Sequence, residues 1–417
     1  MFTKKSISLF ILSLVGFIDV MGVGLVYPMF ASMIFQGDCA ILPPDSSDAM
    51  RGTCLGILLA TMPLTQFFSA PILGMLSDQI GRRKIVIPGL ALGVFGYMLA
   101  MAAVGMESFI LLLVSRIVIG ISAGTASVVG AAIADISSSE DKAKNFGLFN
   151  MGCGLGFTVG PFLGGILSGT NLWIVERYAL PFFVAGLVTL INLLLVVFWL
   201  TDSYVPKTGG KLSLGLGIRN IKKAFVSKGL QAVFAAVFLA CVGWSFYWEF
   251  APVTWISAYN FSTATIGNFY AYGAAVYALS CGVLIRPIVS RYSNQHVLCY
   301  ALIGCAAAIG MLAFHASEIW LWLYIPLQQF AMALFWPTAA AVVSNSASED
   351  VQGEILGVLQ SVDSLAFAVS PLIAGPLLGI TTSMPIIVGS LAMLLAAGVM
   401  GMVLKNVSTS PQAANST

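Results

Sequence analysis

The sequence predicts an all-α polytopic membrane protein, with twelve transmembrane helices in two pseudo-symmetric six-helix bundles. Three observations predict it. First, 59% of the 417 residues are hydrophobic and 9% are charged, with a mean hydropathy of +0.95. Soluble domains carry roughly 25% charged residues, so a globule of this composition would not stay dissolved. Second, the chain breaks into twelve apolar stretches, each near the ~20 residues that a bilayer core of about 30 Å requires. Third, with the N-terminus inside and the stretches threaded alternately, sixteen of the nineteen Lys and Arg residues fall on the inner side. Cytoplasmic loops carry that bias. One missed or invented helix would invert the sides, so both termini are expected in the cytoplasm.

Span 1 covers 6–35 and follows Lys4 and Lys5. It is no cleaved signal peptide on this reading, because the run passes through Asp19 and continues to Phe35. Span 2 (52–77) and span 3 (85–104) are joined by a polar turn with Asp78, Gly81, Arg82, Arg83 and Lys84. Span 4 (108–134) contains Arg116 and ends at Asp135. In span 5 (145–168), Gly152, Gly156, Gly160 and Gly164 recur at four-residue spacing and form a bare helical face, with Pro161 beside it. In water each such glycine costs about 1 kcal/mol and the proline about 3 kcal/mol relative to alanine. Neighbouring helices make both tolerable inside a membrane. Span 6 (179–201) closes the first bundle, residues 1–201.

Residues 202–230 hold six basic side chains and a Pro206, Gly209, Gly210 start. They form the expected cytoplasmic basic linker, either as a helix resting on the inner membrane surface or as a solvated loop. The second bundle, 231–404, holds spans at 231–257, 264–288, 297–314, 319–345, 355–379 and 384–404. Residues 405–417 form an expected disordered cytoplasmic tail. Duplication supports the two bundles. Gly160-Pro161 with Gly164-Gly165 corresponds to Ser370-Pro371 with Ala374-Gly375 at an offset of 210 residues, and Gly74 to Lys84 corresponds to Arg286 to His296 at an offset of 212. Cys39 and Cys54 flank the first outer loop, where a disulfide and two free thiols are both open readings.

Gly74-Met-Leu-Ser-Asp78-Gln-Ile-Gly81-Arg82-Arg83-Lys84 resembles the loop motif between helices 2 and 3 of the major facilitator superfamily, departing from it at Gln79. Gly156, Gly160, Pro161, Gly164 and Gly165 resemble its helix 5 motif, characteristic of proton-driven antiporters. Arg116 to Gly124 resembles the helix 4 motif, and Gly16-Phe-Ile-Asp19 the acidic helix 1 motif of twelve-span drug exporters such as the tetracycline and multidrug types. The resemblance implies the major facilitator fold, a bacterial inner membrane, and a gate in which Gly74, Asp78, Gly81, Arg82, Arg83 and Asp135 latch the cytoplasmic side. Physical chemistry adds that a carboxylate at Asp78 can pair with Arg82 or cap a neighbouring helix.

Asp19, Arg116, Glu249 and Asp363 are charges placed well inside spans. Each costs about 2.5–3.5 kcal/mol at mid-bilayer on insertion scales, so a partner or a function is expected. Helical rise puts Asp19 and Arg116 at one depth, about 20 Å from the inner surface. Asp19 is expected to couple protons, with a protonation state set by Arg116 and by access of water; a static ion pair is the other reading. Asp363 shares a face with Gln360, Ser364 and Phe367, a polar strip that fits a cavity wall or a structural network. Glu249, with Asp363 a further proton-coupling candidate, lies in a run with Trp244, Tyr247, Trp248 and Trp255, which reads as an interfacial aromatic belt or as a substrate pocket. Tyr272, Gln328, Gln329 and Trp336 complete the substrate-cavity candidates, groups able to hold a planar or amphipathic ligand.

Other classes find little support. Gly120-Ile-Ser122-Ala-Gly124 fits the G-x-S-x-G pattern of hydrolases but sits within an apolar helix, so it reads as small-residue packing. No phosphate loop is present, and His296 and His315 are isolated, so no cofactor or metal is expected and an ion gradient supplies the energy. The expected partners are a small-molecule substrate, protons and the lipid bilayer, with no nucleic acid and a monomeric chain. The chain is expected to be no enzyme but a secondary transporter exporting a small amphipathic or aromatic compound in exchange for protons. Proton-linked import of a nutrient and a non-transporting receptor or assembly subunit are the alternatives.

Overall fold

The computed structural model describes residues 4–36, 41–138, 141–170, 178–200, 219, 222, 230–314, 317–345 and 352–408. Cys39, His315, the tail beyond Ser408 and the linker apart from Arg219, Lys222 and Leu230 lie outside the described residues. Every regular element among the described residues is helical. Span 1 is Lys4–Phe35, span 2 Asp48–Ile80, span 3 Arg82–Gly105, span 5 Lys142–Ser168, span 6 Leu180–Trp199 and span 7 Gln231–Tyr259. Span 9 is Asn294–Leu312, span 10 Leu321–Asn345, span 11 Gln352–Leu377 and span 12 Met384–Ser408. Eleven helices of the described residues are long and apolar enough to cross a membrane, and the chain is an integral membrane protein.

The remaining expected span, the eighth, is interrupted. It runs as α-helix over Thr263–Leu279, slips into a π turn over Ser280–Leu284 and resumes at Arg286–Val289. The slip is a five-residue hydrogen bond, Ile285 N–H to the Ser280 carbonyl at 3.1 Å, which accommodates one residue more than an α turn. The repeat offset of 212 places Val283 on Pro71 of span 2, whose missing N–H breaks the ladder at the corresponding point. Span 4 is likewise two helices, Phe109–Ala123 and Ala126–Ile136. At the break the Gly124 and Thr125 N–H groups reach back only three residues, to Ile121 and Ser122 at 3.2 and 3.0 Å. A methyl on Gly124 would collide with the Ser69 hydroxyl and lie 2.9 Å from the Ala70 nitrogen.

Two compact units result. The first takes Met1–Ser47, Ile57–Leu216 and Asn260–Ala271; the second takes Asp48–Gly56, Gly217–Tyr259 and Tyr272–Thr417. In the first, span 1 packs chiefly on spans 5 and 6, and span 3 on spans 4 and 6. Its apolar centre joins Leu12 and Val15 to Val86, Leu90, Val129, Ile133 and Val196. In the second, span 7 packs on spans 11 and 12, and span 9 on spans 10 and 12. Lipid tails are as apolar as leucine, so helices here are held by close fit rather than by escape from water. The small residues show it: Gly243 and Gly389 each lie against the other's carbonyl, and Ser122, within the hydrolase-like G-x-S-x-G stretch, donates 2.7 Å to the Gly89 carbonyl.

Candidate functional site

The first unit carries Asp19 at mid-height on span 1, half-buried, and Arg116 on span 4, which is 1% exposed. Asp19 forms no ion pair among the described residues. The Arg116 guanidinium carbon sits 5.1 Å over the Phe30 ring, and its Nη2 donates to Met62 Sδ at 3.2 Å. An aromatic face and a polarisable sulfur each attract a cation that has left water. Phe30 is eleven residues beyond Asp19, about 16 Å of rise, on nearly the same helical face. The two charges are therefore staggered along span 1, which corrects the expectation that they lie level: the arginine side chain reaches toward Phe30 instead of toward Asp19. Tyr97 of span 3 stands close enough to feel both charges, and Cys153 of span 5 feels that of Asp19.

At the end of this unit bearing Arg82, the polar turn is a network. Arg82 reaches Asp78 at 2.5 Å and, through Nε, Asp135 at 2.9 Å. Its Nη1 also donates 2.7 Å to Ser77 Oγ, which in turn donates to the Gly74 carbonyl at 2.6 Å. Gly81 makes the turn at φ 106°, a conformation that side-chain-bearing residues avoid. Gly74 has no such constraint, since a methyl there would meet Ser127 Oγ at an ordinary 3.6 Å. Arg83 donates 2.5 Å to the Val197 carbonyl in the last turn of span 6, where a cation suits the negative helix end. Lys84 is exposed.

The glycine face of span 5 lies on span 1. Methyls built on Gly152, Gly156, Gly160 and Gly164 would meet the carbonyls of Ser13, Phe17, Met21 and Leu25 in turn, at 3.0 Å for Gly152 and 2.6 Å for Gly160. The repeat of four matches on both helices, so the backbones touch along four turns. Span 1 thus fills this face. Gly165 points elsewhere, toward the Thr263 carbonyl and Gly267 Cα of span 8 at 2.8 and 3.0 Å, within the same unit. The second unit repeats this crossing within itself: Gly375 faces Gly52 and Gly56, and Gly56 faces the Pro371 carbonyl as Gly267 faces that of Pro161.

In the second unit, Gln360 Nε2 donates 3.2 Å to Asp363 Oδ2. Asp363 is half-buried and Gln360 exposed, with Cys241 of span 7 beside the carboxylate. Glu249 is 3% exposed and lies in a run, Gly243 to Trp255, that is buried on every side. Trp244 stacks on Trp248 with ring centres 5.7 Å apart, and both are buried with Trp255. These tryptophans do not face lipid, so the belt reading fails for them; span 7 is enclosed by spans 11 and 12. Exposed Trp320 and Trp322 at the start of span 10 fit a belt better, and Tyr272 donates 3.0 Å to the Trp322 carbonyl. Gln328, fully buried, donates 3.0 Å to Tyr247 Oη, and Gln329 is buried against Gly273. Trp336 is half-buried, edge-on to Phe335. The structure thus gathers Tyr247, Gln328 and the Trp244–Trp248 stack in the interior and leaves Gln360, Asp363 and Trp336 with access. No group of three potential metal ligands occurs among the described residues.

Tyr97, Phe30 and Met62 escaped the sequence reading. Tyr97 leaves a trace in two glycines that face it, Gly22 and Gly186, but isolated glycines are common in membrane helices.

The sequence profile of the Major Facilitator Superfamily matches residues 9–371 and, in a second alignment, 233–417. The chain is 29% identical to the class C tetracycline resistance protein of Escherichia coli over 360 residues, covering 85% of this chain and 86% of that protein. It is 27% identical to the quinolone resistance protein NorA of Staphylococcus aureus (strain COL), covering 91% and 92%. Among solved structures, that of a D-xylose-proton symporter superposes with a TM-score of 0.75 at 15% identity, covering 94% of this chain and 96% of that one.

Proposed function

We propose that this chain, which belongs to the Major Facilitator Superfamily and is thus a transporter and no enzyme, exports a small amphipathic or aromatic compound in exchange for protons. It works by alternating access, from a bacterial inner membrane, with both termini in the cytoplasm. The observation that carries the reading is Asp19: a half-buried carboxyl at mid-height on span 1, with the buried Tyr97 beside it and the buried Arg116 guanidinium held further along that span, over Phe30. A carboxyl so placed binds or releases a proton according to which side admits water and substrate. Asp363, with Gln360 and Cys241, is the matching acidic group of the other unit and a second contact for protons or a cationic substrate.

The names of the relatives support drugs as cargo and make tetracycline and a quinolone the first compounds to try. The fold alone leaves direction open, because a proton symporter shares it. Reconstitution in proteoliposomes with an internal pH dye tests the reading. Tetracycline or norfloxacin added on the cytoplasmic face should drive protons toward that same face. Co-entry of proton and compound would make the chain an importer, and no proton movement with any compound tried would favour a receptor.

A further inference from the structure

The Tyr97 ring is set into a slot made by missing side chains on two other helices. A methyl on Gly22 of span 1 would lie 2.6 Å from the Tyr97 hydroxyl oxygen and 3.3 Å from the carbon bearing it, and a methyl on Gly186 of span 6 would lie 3.2 Å from Tyr97 Cβ. The ring is 5% exposed. Gly22 is one turn beyond Asp19 on nearly the same face, about 4.5 Å of rise, and Phe30, under the Arg116 guanidinium, lies two turns further on. The hydroxyl thus occupies the stretch of span 1 between the carboxyl and the guanidinium. Packing alone does not explain a tyrosine there, because an apolar slot accepts phenylalanine without the cost of burying a hydroxyl.

We propose that Tyr97 is a positioning residue for the Asp19–Arg116 couple: its ring keeps the guanidinium and carboxyl apart, and its hydroxyl is the group through which each responds to the other. This rests on the proton-coupling reading of Asp19. The titratable side chains facing Asp19 are Tyr97 of span 3 and Cys153 of span 5, whose sulfur lies where a methyl on Gly16 would come within 3.0 Å, while Arg116 of span 4 stands further along span 1, over Phe30. Span 6, packed on spans 1 and 3, offers none between Leu180 and Trp199. The lower half of span 4 contributes only Asp135, which Arg82 holds, and on span 1 itself Tyr27 lies two turns away.

The test is pH-difference infrared spectroscopy of the full chain in lipid bilayers, which needs no substrate. The protonated-carboxyl band lost in Asp19→Asn assigns the signal. In Tyr97→Phe, which keeps the ring and the fold, the titration midpoint of that band should move by about half a pH unit or more, a factor of about three in proton affinity. Gly22→Ala should move it the same way by displacing the hydroxyl, and the double variant should move it no further than Tyr97→Phe alone. An Asp19 band that titrates in Tyr97→Phe as in the parent overturns the role of Tyr97 and leaves proton coupling standing. Spectra of Asp19→Asn and parent that coincide at every pH overturn the coupling reading, and this proposal with it.

Discussion

Gly81 and Gly74 belong to the same loop motif, yet only one is required by its backbone. Gly81 turns the chain at φ 106° so that Arg82 can swing back to Asp78 and across to Asp135. Gly74 sits within the span 2 helix with room for a methyl. Gly81→Ala should therefore destabilise the protein by about 1–3 kcal/mol, the cost of holding a residue with a side chain at φ 106° and ψ 147°, a region left almost wholly to glycine. Gly74→Ala should be neutral or slightly stabilising, since alanine favours the helix. Thermal unfolding of the purified variants in detergent reads both. Equal losses would mean that the motif glycines serve some purpose other than the turn. The ion pairs themselves contribute modestly, because Asp78 is half-exposed and such pairs are worth about 0–1 kcal/mol. Their value is geometric, in fixing one arginine between the ends of spans 2 and 4.

At the level of the helix, span 5 presents two different faces of glycine. Gly152, Gly156, Gly160 and Gly164 lie on the backbone of span 1, and a carbonyl cannot step aside as a flexible side chain can. Gly154, two residues from Gly152, has nothing within 4 Å. Gly160→Leu should thus part spans 1 and 5, lowering thermal stability and the yield of folded protein, by the 1–3 kcal/mol or more typical of overpacking. Gly154→Leu should be tolerated in the same measurements. If the two variants unfold at the same temperature, the backbone contact is not what holds these helices. Because span 1 also bears Asp19, a loosened crossing should disturb coupling as well as stability, an effect on the charge made through the seam beneath it.

Across the whole molecule, the twelve-span layout, the repeat and the superfamily were legible in the sequence because they rest on hydropathy and on short local motifs. The Arg82 network was partly legible, since Asp78 and Arg82 are four residues apart on one turn. Other features were not, for identifiable reasons. The π turn of span 8 leaves no proline at its centre, whereas its counterpart in span 2 has Pro71. Rise arithmetic fixed the depth of the Arg116 Cα but not the reach of its long side chain toward Phe30 and Met62. The tryptophans of span 7 follow interfacial composition, and only the packing of spans 11 and 12 around them makes them interior. Tyr97 depends on glycines from two other spans, a coincidence in space that no periodicity encodes.

The repeat does extend to fine detail: the crossing of Gly165 and Pro161 with Thr263 and Gly267 returns, within the other unit, as Gly375 and Pro371 with Gly52 and Gly56. The intramembrane acids do not follow it. Asp19 lies on span 1 beside Cys153 of span 5, whereas Asp363 lies on span 11 beside Cys241 of span 7. The two units share a scaffold, but Asp19 and Asp363 sit on members of it that do not correspond, so the proton need not be handled alike in both. The most direct measurement of that account is drug-driven proton flux in proteoliposomes of the parent chain, Asp19→Asn and Asp363→Asn. Asp19→Asn should still bind tetracycline or norfloxacin while its proton flux falls at least tenfold, and Asp363→Asn should retain a larger share of the flux. Undiminished flux with unchanged pH dependence in Asp19→Asn would contradict it.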